Sequence, residues 1–573
     1  MVVALFLLTT SLQALGCTSF PTGKDASVDG STMITIHQDT ASYEFHLLRW
    51  PAKDHEPGTM KRLYDWPQWM RWFDKYGNAT DPRHEFTGVE IPEVSHTYSY
   101  TMGLFPVMNE HQVSMGMSTL TGIHDALWND EAKLRITTLS MVAAERAKTA
   151  REVIQIVTSL AEEYGFKGEY TPGKCLIIAD PNEIWLLHIM AVGPLWSPGC
   201  GEPGAVWVAQ RVPDDHVAVF PNGFSIGEID LDDPDNFMAS SNIKSLAIEM
   251  GWYDPESGLP FSAIEAYTGG RALPMGTLTR KWQGYQLIKP SLDLPNPDEM
   301  STMKGPHGYQ YRYPFSVKPD KKISVADLMK INRSLLEGTY LDLTKGPLGG
   351  PFGSPTRTLG TFFKVDGDIV QEARGIQGDV TQYTQVCQMR SWLPNEIGGI
   401  AWWAPGRPRT SFYTPFYLAG MDKITDQYTT GNHFEMEWGK TAYWAATFVN
   451  TFAEVMYCYI IEDVKKMQDE IESKAFTIVP AIDKVALELY KSDPNKAREF
   501  LTQWCNQFAE DATKRYWEFA NHLIVKYHHK YINEPEIATK PKMPEEEYWI
   551  KQAFEYQKEV RKRVLPEVGE QLW

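Results

Sequence analysis

The sequence is short of positive charge and has no uncharged apolar run long enough for a membrane span. Its 573 residues contain 55 Lys and Arg against 73 Asp and Glu, a formal net charge of −18. This balance argues against nucleic-acid binding, because phosphate recognition needs clustered Lys and Arg. Acidic surfaces are common in soluble proteins and identify no partner. With 43% hydrophobic and 22% charged residues, the chain is predicted to be globular with a sizeable core.

The usual signatures of metal and nucleotide sites are also missing. The sequence contains no CxxC, HExxH, Walker A or EF-hand loop, and no GxGxxG in a strand–helix context, so it predicts no metal and no cofactor. Six cysteines occur, at positions 17, 175, 200, 387, 458 and 505. Without Cys17 their number is odd, so a complete disulfide framework is excluded and most should be buried thiols.

The first sixteen residues, MVVALFLLTTSLQALG, are apolar and uncharged. A transmembrane helix needs ~20 apolar residues, so stable membrane insertion is not predicted. Ala14 and Gly16 are small residues of the kind that precede a signal-peptidase site. Residues 1–16 are therefore predicted to be a signal or pro-segment, with export to the medium, the periplasm or the cell envelope. The Lys or Arg that usually begins a signal is absent, and a buried N-terminal strand is the alternative interpretation.

From residue 17 to about 430 the pattern alternates apolar strands with amphipathic helices. A helix is predicted from Thr149, with Glu152 completing a capping box, to Gly165. CLIIAD and EIWLLHIM flank Pro181-Asn182 and predict a hairpin. AVWVAQRV, HVAVF, GGIAWWA and TSFYTPFYLA predict further strands, and their apolar character predicts a sheet covered on both faces.

A second capped helix and the C-terminal region complete the organisation. Ser324-Val325-Ala326-Asp327 opens a helix predicted to close at Gly338. Residues 431–573 are rich in long aromatic helices and predict a helical lobe, with a charged, looser tail after Pro535. An insertion, YDWPQWMRWFDKYG, places aromatic residues at helical spacing, which predicts a core or lid stripe or, alternatively, a membrane or ligand surface. These residues are Trp66, Trp69, Trp72 and Phe73.

Cys17 directly follows the predicted cleavage point. Cleavage would leave it with a free α-amino group close to its own thiol, and an amine with a reference pKa near ~7.7–8.0 can accept the thiol proton. Nucleophile and base would then lie in one residue. On position alone, ALGC is also an imperfect lipobox, and Cys17 could instead carry a lipid anchor.

A set of short motifs begins at Cys17. It comprises Cys17-Thr18, Gly23-Lys24, Ala26-Ser27, Asp29-Gly30-Ser31-Thr32 and Asp39, then RWPAKDHEPGTM, VMNEHQVSMGMST, IADPNEIWLL, GAVWVAQRVPD and QMRSWLPNEIGG. Together they resemble the PepD-like cysteine dipeptidases, a family of N-terminal-nucleophile hydrolases, from residue 17 to about 460. The resemblance implies an α+β fold, a four-layer αββα sandwich over residues 17–430, followed by the helical extension at 431–573.

The resemblance also implies roles for five residues. Cys17 matches the nucleophile, and Asp39 matches the aspartate that supports the α-amino group or the thiolate. Thr119 lies where related bile-acid hydrolases and penicillin V acylases place an oxyanion-hole residue. Asn222 resembles their asparagine that binds the oxyanion or the substrate, and Arg280 resembles their late active-site arginine. Alternatively, Thr119 is an ordinary strand residue, Asn222 a turn former and Arg280 a solvated helix residue.

The sequence departs from the family pattern beside Asp39. Many relatives carry Arg three residues before this aspartate, where TIHQD has Ile36. A positive group that would lower the thiol pKa is therefore absent or replaced, in part by His37. The departure bears on rate and pH optimum more than on the class of reaction.

The expected function is hydrolysis of small dipeptides through a thioester, without a cofactor, by a protein that could form homo-oligomers. One alternative is an amidase that acts on N-acyl amino acids or bile-acid conjugates. Another, from a different class, is an inactive lipid-anchored surface protein.

Overall fold

The structure is a computed structural model that describes residues 17–39, 44–65, 85–271, 273–304, 312–355, 362–366, 368–371, 373–544 and 546–564. The predicted signal segment at 1–16 and the aromatic stripe of Trp66, Trp69, Trp72 and Phe73 lie outside the described residues. Of the helices within these ranges, none is both long and apolar enough to cross a membrane.

Short strands and helices alternate over the first four fifths of the chain, and long helices follow. The strands are β1 Thr32–Asp39, β2 Leu48–Trp50, β3 Lys53–Asp54, β4 Met60–Tyr64, β5 Phe86–Pro92, β6 His96–Thr97, β7 Tyr100–Met102, β8 Pro106–Asn109, β9 Ser114–Thr119, β10 Gly173–Ala179, β11 Ile184–Met190, β12 Val206–Val212, β13 Val217–Ala218, β14 Phe237–Ala239, β15 Ser316–Val317, β16 Phe362–Val365, β17 Asp368–Gln371, β18 Thr381–Met389, β19 Ile400–Pro405, β20 Thr414–Phe416, β21 Ile532–Glu534 and β22 Ile537–Thr539. The α-helices are α1 Ile136–Ala144, α2 Ala150–Tyr164, α3 Ser245–Glu249, α4 Ala263–Thr268, α5 Met275–Ile288, α6 Pro297–Thr302, α7 Val325–Asn332, α8 Gly346–Gly349, α9 Asn395–Gly398, α10 Asp426–Thr429, α11 Ala442–Ala453, α12 Tyr457–Ser492, α13 Pro494–Tyr527 and α14 Glu546–Val564.

Two antiparallel sheets organise most of the described strands. The larger has the order β14-β12-β11-β10-β9-β8-β7-β2, and the smaller has the order β1-β18-β19-β20. The sheets pack on each other where β1 contacts β9 and β10. At this contact Ile36 lies against Gly116, and a Cβ added at position 116 would clash with Ile36 Cγ1. Glycine therefore permits the close approach of the two sheets.

Helices contact both sheets. α1 contacts β8, and α2 contacts β10, β11 and β12 of the larger sheet. α7 contacts β1 and β18, α11 contacts β19, and α12 and α13 contact β20 of the smaller sheet. The strands β1, β10, β11 and β18 are buried along their whole length. The architecture is α+β, as predicted.

Local sequence signals account for several of these elements. Thr149 Oγ1 accepts a bond from the Glu152 N–H at 3.2 Å, and α2 stops at Gly165, where φ is +83°. The Glu152 carboxylate accepts from the Lys148 N–H, so the reciprocal half of the predicted capping box does not form. The predicted hairpin at Pro181-Asn182 is the β10–β11 pair.

Two boundaries differ from the prediction. α7 begins with the capping box of Ser324 and Asp327, but it ends at Asn332 and not at Gly338, because the chain turns sharply after Arg333. The chain after Pro535 is not merely a loose tail, since it forms β22 and α14. The predicted long C-terminal helices are confirmed as α11, α12 and α13. The division of the chain at residue 430 stays a prediction.

Candidate active site

Cys17 begins an extended segment that is paired along both edges. Residues 17–22 lie between β1 and the stretch 217–220. The His37 N–H donates to the Thr18 carbonyl at 3.0 Å, and Ser19 and Phe220 exchange two backbone bonds of 2.9 Å. The sheet therefore sets the position of Cys17, which gives a more rigid placement than a loop would.

The Cys17 side chain is 7% exposed and lies beside the end of β1. Gln38 Nε2 is 3.8 Å from Sγ, and the backbone N–H of Asp39 also donates to the thiol. Burial, and after it the negative charge of Asp39, raise the pKa of this thiol to about 11, whereas Lys174 and Arg374 act in the opposite direction. The thiol is therefore protonated at pH 7 in the chain that keeps the Gly16–Cys17 peptide bond. In that chain the nitrogen of Cys17 is an amide and cannot act as a base.

A β-bulge orients Asp39. The pairing of β1 with β18 shifts between Gln38 and Asp39, which brings Asp39 opposite Thr381. Asp39 Oδ1 accepts from Thr381 Oγ1, and Oδ2 accepts from Arg374 Nη2. A Cβ at Gly378 would lie 2.8 Å from Asp39 Oδ2, so the absence of a side chain there makes room for the ion pair.

Arg280, on α5, is buried and bound to the main chain of Cys17. Its Nη1 donates to the Cys17 carbonyl at 3.0 Å and to Thr18 Oγ1 at 2.9 Å, and its Nη2 donates to Asn222 Oδ1 at 2.8 Å. Burial and the nearby charge of Arg374 lower its pKa. Arg280 is therefore not the solvated helix residue that the sequence allowed as an alternative.

Asn222 and Thr119 continue this hydrogen-bond network. Asn222 Nδ2 donates to Ser118 Oγ at 3.1 Å and to the Thr119 carbonyl at 3.2 Å. Thr119 is the last residue of β9, and its Oγ1 accepts from Lys174 Nζ at 2.8 Å. The structure thus brings the five predicted residues into one cluster, although their chemical roles stay predictions. They are Cys17, Asp39, Thr119, Asn222 and Arg280.

Comparison with known proteins identifies the family. The sequence profile described as Peptidase family C69 matches residues 16–470. The chain belongs to peptidase family C69. It is 27% identical over 525 residues to a protein named probable dipeptidase B of Streptococcus pyogenes serotype M1, which covers 88% of this chain and 92% of the relative. It is 25% identical over 492 residues to a probable dipeptidase of Latilactobacillus sakei (83% and 89% coverage) and 25% identical over 423 residues to one of Salmonella dublin (71% and 81%). The protein is therefore an enzyme, a peptidase.

One cation of this C69 peptidase is not evident from its sequence pattern. It is Arg374, which pairs with Asp39. The sequence predicts that His37 replaces, in part, the positive group that many relatives carry before the aspartate. His37 is buried, and burial lowers its pKa to about 4, so its ring is neutral at pH 7. Ile36 occupies the apolar contact between the sheets. Arg374 lies 335 positions from Asp39 and is held by α5, because Thr279 Oγ1 donates to its carbonyl at 2.8 Å. A partner so distant in sequence leaves no local signal.

Lys174 is a second residue of the C69 peptidase that the sequence pattern does not reveal. It stands at the start of the apolar run of β10 and resembles the polar end of an ordinary strand. The structure buries it to 1% exposure and places it directly across from Thr119 in the β9–β10 register. Only this register shows that the ammonium group belongs to the cluster.

The other cysteines of the C69 peptidase are free thiols, and three of the five are buried, in agreement with the prediction that most would be. Cys175, Cys387 and Cys505 are buried, Cys458 is half-buried and Cys200 is exposed. Burial raises the pKa of the Cys387 and Cys505 thiols to about 12. Within the part of the chain that the structure describes, no group of three or more His, Cys, Asp and Glu side chains is placed to hold a metal ion.

Proposed function

We propose that this C69 peptidase is a cysteine dipeptidase whose nucleophile is Cys17, which becomes the N-terminal residue when residues 1–16 are removed. The observation that carries the proposal is the placement of Cys17 at the start of a paired strand segment. Its thiol lies beside Asp39, and its carbonyl is bound by Arg280. The family match begins at residue 16, next to the proposed new terminus.

The proposed fold is the four-layer αββα sandwich of N-terminal-nucleophile hydrolases. The contacts of α1 and α2 with the larger sheet, of β1 with β9 and β10, and of α7 with the smaller sheet support this order of layers. The proposed signal segment implies that the enzyme acts in the medium, the periplasm or the cell envelope.

Removal of residues 1–16 would supply the missing base. The new α-amino group has an ordinary pKa near ~7.7–8.0, so a useful fraction is neutral at pH 7. It would lie within reach of the thiol of the same residue, directly or through a water. Before cleavage the thiol pKa is about 11 and no amine is present. The uncleaved chain should therefore be inactive.

Hydrolysis would proceed in two steps. Cys17 Sγ attacks the carbonyl carbon of the first residue of the dipeptide while the α-amine takes the thiol proton. The tetrahedral intermediate then breaks its C–N bond, the amine returns the proton to the leaving nitrogen, and the second amino acid departs from a thioester. Water attacks the thioester with the α-amine as base, which releases the first amino acid and restores the thiol.

Thr119 and Asn222 are the proposed oxyanion donors. Both Nδ2 hydrogens of Asn222 point at Ser118 Oγ and the Thr119 carbonyl, so Asn222 must give up one of these bonds to act. The hydroxyl of Thr119 accepts from Lys174 and so keeps its own hydrogen for donation. Loss of one such donor typically lowers the rate by about 10²–10³-fold.

The names of three relatives, each a probable dipeptidase, support dipeptides as the substrate class. Rates on Ala-Ala and on N-acyl amino acids test this choice directly. Faster turnover of N-acyl amino acids would replace the dipeptidase assignment with an amidase. Activity should survive EDTA, and loss with EDTA that zinc restores would indicate a metallopeptidase instead.

The state of the mature N-terminus is tested by intact mass. We expect a chain that begins at Cys17 with a free amine. An added diacylglycerol would identify the lipid-anchored alternative, in which an acylated amine cannot serve as base. Full activity in a chain that retains residues 1–16 would refute the proposed mechanism.

The nucleophile is tested by substitution. Cys17→Ala should abolish turnover without unfolding the protein, and Cys17→Ser should leave weak activity because the hydroxyl is far less acidic. Single Ala variants at the other five cysteines are the matched controls, which should lose at most some stability, about 0.5–3 kcal/mol. A well-folded control variant without activity, together with an active Cys17→Ala, would reject the assignment.

A further inference from the structure

Within the part of the chain that the structure describes, Lys174 is a buried cation with no carboxylate in ion-pair contact, although the more distant charge of Glu169 acts on it. The side chain of Lys174 is 1% exposed, and Nζ donates to Thr119 Oγ1 at 2.8 Å. Within the described residues, no Asp or Glu oxygen lies within 4.0 Å of this nitrogen, although the aromatic ring of Tyr170 lies 5.2 Å away. A buried ammonium that lacks a close counter-ion costs several kcal/mol of desolvation. Such an arrangement is a poor way to stabilise a fold and a common feature of functional sites.

The position of Lys174 is set by the larger sheet. Lys174 and Thr119 are direct cross-strand partners of β10 and β9, so neither can move without the other. The other end of Thr119 is held as well, because its carbonyl accepts from Asn222 Nδ2 at 3.2 Å. Asn222 is in turn bound by Arg280, which holds the Cys17 carbonyl. Two side chains, those of Thr119 and Asn222, therefore connect the ammonium group to Arg280, which holds the proposed nucleophile.

The direction of the hydrogen bond orients the Thr119 hydroxyl. An ammonium group can only donate, so the bond occupies an acceptor lone pair of Oγ1 and directs the single hydroxyl hydrogen elsewhere. Thr119 is the partly exposed member of the pair, whereas Lys174 is fully enclosed. A charged donor behind a hydroxyl also polarises it and makes its hydrogen a stronger donor.

We infer that Lys174 is a positioning residue that aims and polarises the Thr119 hydroxyl as the principal side-chain donor to the oxyanion. This inference rests on the proposed function, since it assigns a role in the same acyl-transfer reaction. The negative charge on the oxyanion develops only in the transition state, so the effect belongs mainly to kcat and not to KM.

The inference predicts an alkaline loss of activity. Burial lowers the pKa of Lys174 to about 8, while the charges of Glu169 and Cys17 act to raise it and Arg135 acts to lower it further. Above this pH the lysine becomes neutral and ceases to polarise Thr119. The groups that face the ammonium are the Cys17 thiol, Glu169, Tyr170 and Arg135. The profile must be measured on kcat at saturating dipeptide, because the α-amine of the substrate itself titrates near ~7.7–8.0. The α-amine of mature Cys17 titrates in the same range, and kcat rises as it becomes the neutral base. The loss assigned to Lys174 is therefore the fall of kcat on the alkaline side of that rise.

The test uses the mature enzyme with Ala-Ala, four variants of Lys174 and Thr119, and one control variant. Lys174→Met keeps the length of the side chain without its charge, and Thr119→Val removes the hydroxyl. Their double variant measures the coupling, and Thr119→Ser restores a hydroxyl. Lys281→Met is the matched control, because Lys281 is another buried lysine whose pKa burial lowers, to about 7. None of the described hydrogen bonds joins Lys281 to Thr119.

We expect kcat to fall about 10²–10³-fold in Thr119→Val, which is the typical loss for one oxyanion donor. In Lys174→Met, kcat should fall about tenfold or more, with little change in KM. The remaining activity of this variant should show no alkaline loss near pH 8. The double variant should match Thr119→Val, Thr119→Ser should recover most of the rate, and Lys281→Met should keep both kcat and the alkaline loss.

Two results would overturn the inference. One is an unchanged kcat and pH profile in folded Lys174→Met, and the other is a double variant whose loss is the product of the two single losses. If Lys174→Met does not fold, Lys174→Arg is the deciding variant. Its guanidinium group should stay protonated above pH 8, so kcat of this variant should no longer fall at alkaline pH. Failure of the proposed function is distinct, since the wild type would then not hydrolyse Ala-Ala or Cys17→Ala would remain active.

Discussion

Substitution of the two charges beside Cys17 should move the pKa of its thiol in opposite directions. Asp39 raises this pKa and Arg374 lowers it, while the two side chains are bonded to each other. Arg374→Met leaves the negative charge unopposed, so the thiol pKa should rise. Asp39→Asn removes the negative charge, so the pKa should fall, and the double variant should lie between the two.

The magnitude follows from the burial of the pair. The side chain of Asp39 is 0% exposed and that of Arg374 is 15% exposed, so water and salt screen these charges weakly. A change of one pKa unit alters the thiolate fraction about tenfold at a pH below the pKa. At pH 8 we therefore expect alkylation of Cys17 to be about tenfold faster in Asp39→Asn. In Arg374→Met it should be slower by a smaller factor, because the charge of Arg374 has the weaker effect on the thiol.

The assay is the rate of iodoacetamide labelling between pH 6 and pH 10, read by mass spectrometry on the tryptic peptide that contains Cys17 and ends at Lys24. This readout keeps the exposed Cys200 out of the signal. Arg407→Met is the control, because the Arg407 Nε donates to the Asp379 carbonyl at 2.8 Å and contacts none of the five predicted site residues through a described hydrogen bond. If both single variants slow the labelling equally, packing damage and not charge sets the reactivity, and the reasoning fails.

Two further predictions concern stability. Gly116→Ala should cost about 1–3 kcal/mol because the added Cβ meets Ile36 Cγ1, and it should cost much less in an Ile36→Ala background; equal losses of melting temperature in both backgrounds would contradict the packing argument. Asp483→Asn should cost about 3–5 kcal/mol, because it removes the carboxylate that accepts from Arg390 Nη1 at 2.5 Å and leaves this 5%-exposed arginine without that counter-ion. Urea denaturation measures this loss, and a transition identical to that of the wild type would show that the ion pair does not stabilise the attachment of α12.

Features that depend on neighbouring residues were predictable from the sequence. Thr149 caps α2 and Gly165 ends it because both effects act within one helical turn. The apolar runs of β10 and β11 predicted buried strands, since the hydrophobic effect acts on each run wherever it is placed. The predicted helix end at Gly338 is wrong because tertiary context stops α7 one turn and a half earlier, at Asn332.

The sequence by itself also determined the candidate chemistry. A cysteine directly after a short apolar segment, followed by the family motifs, singled out Cys17 and Asp39, because nucleophile, base and strand lie close together in the chain. The tertiary structure alone decided what surrounds them. Arg374 reaches Asp39 across 335 positions, and Lys174 reaches Thr119 across 55, through strand register and the packing of α5. Such pairings depend on how the sheets align, so only the folded chain reveals which cations act on the Cys17 thiol.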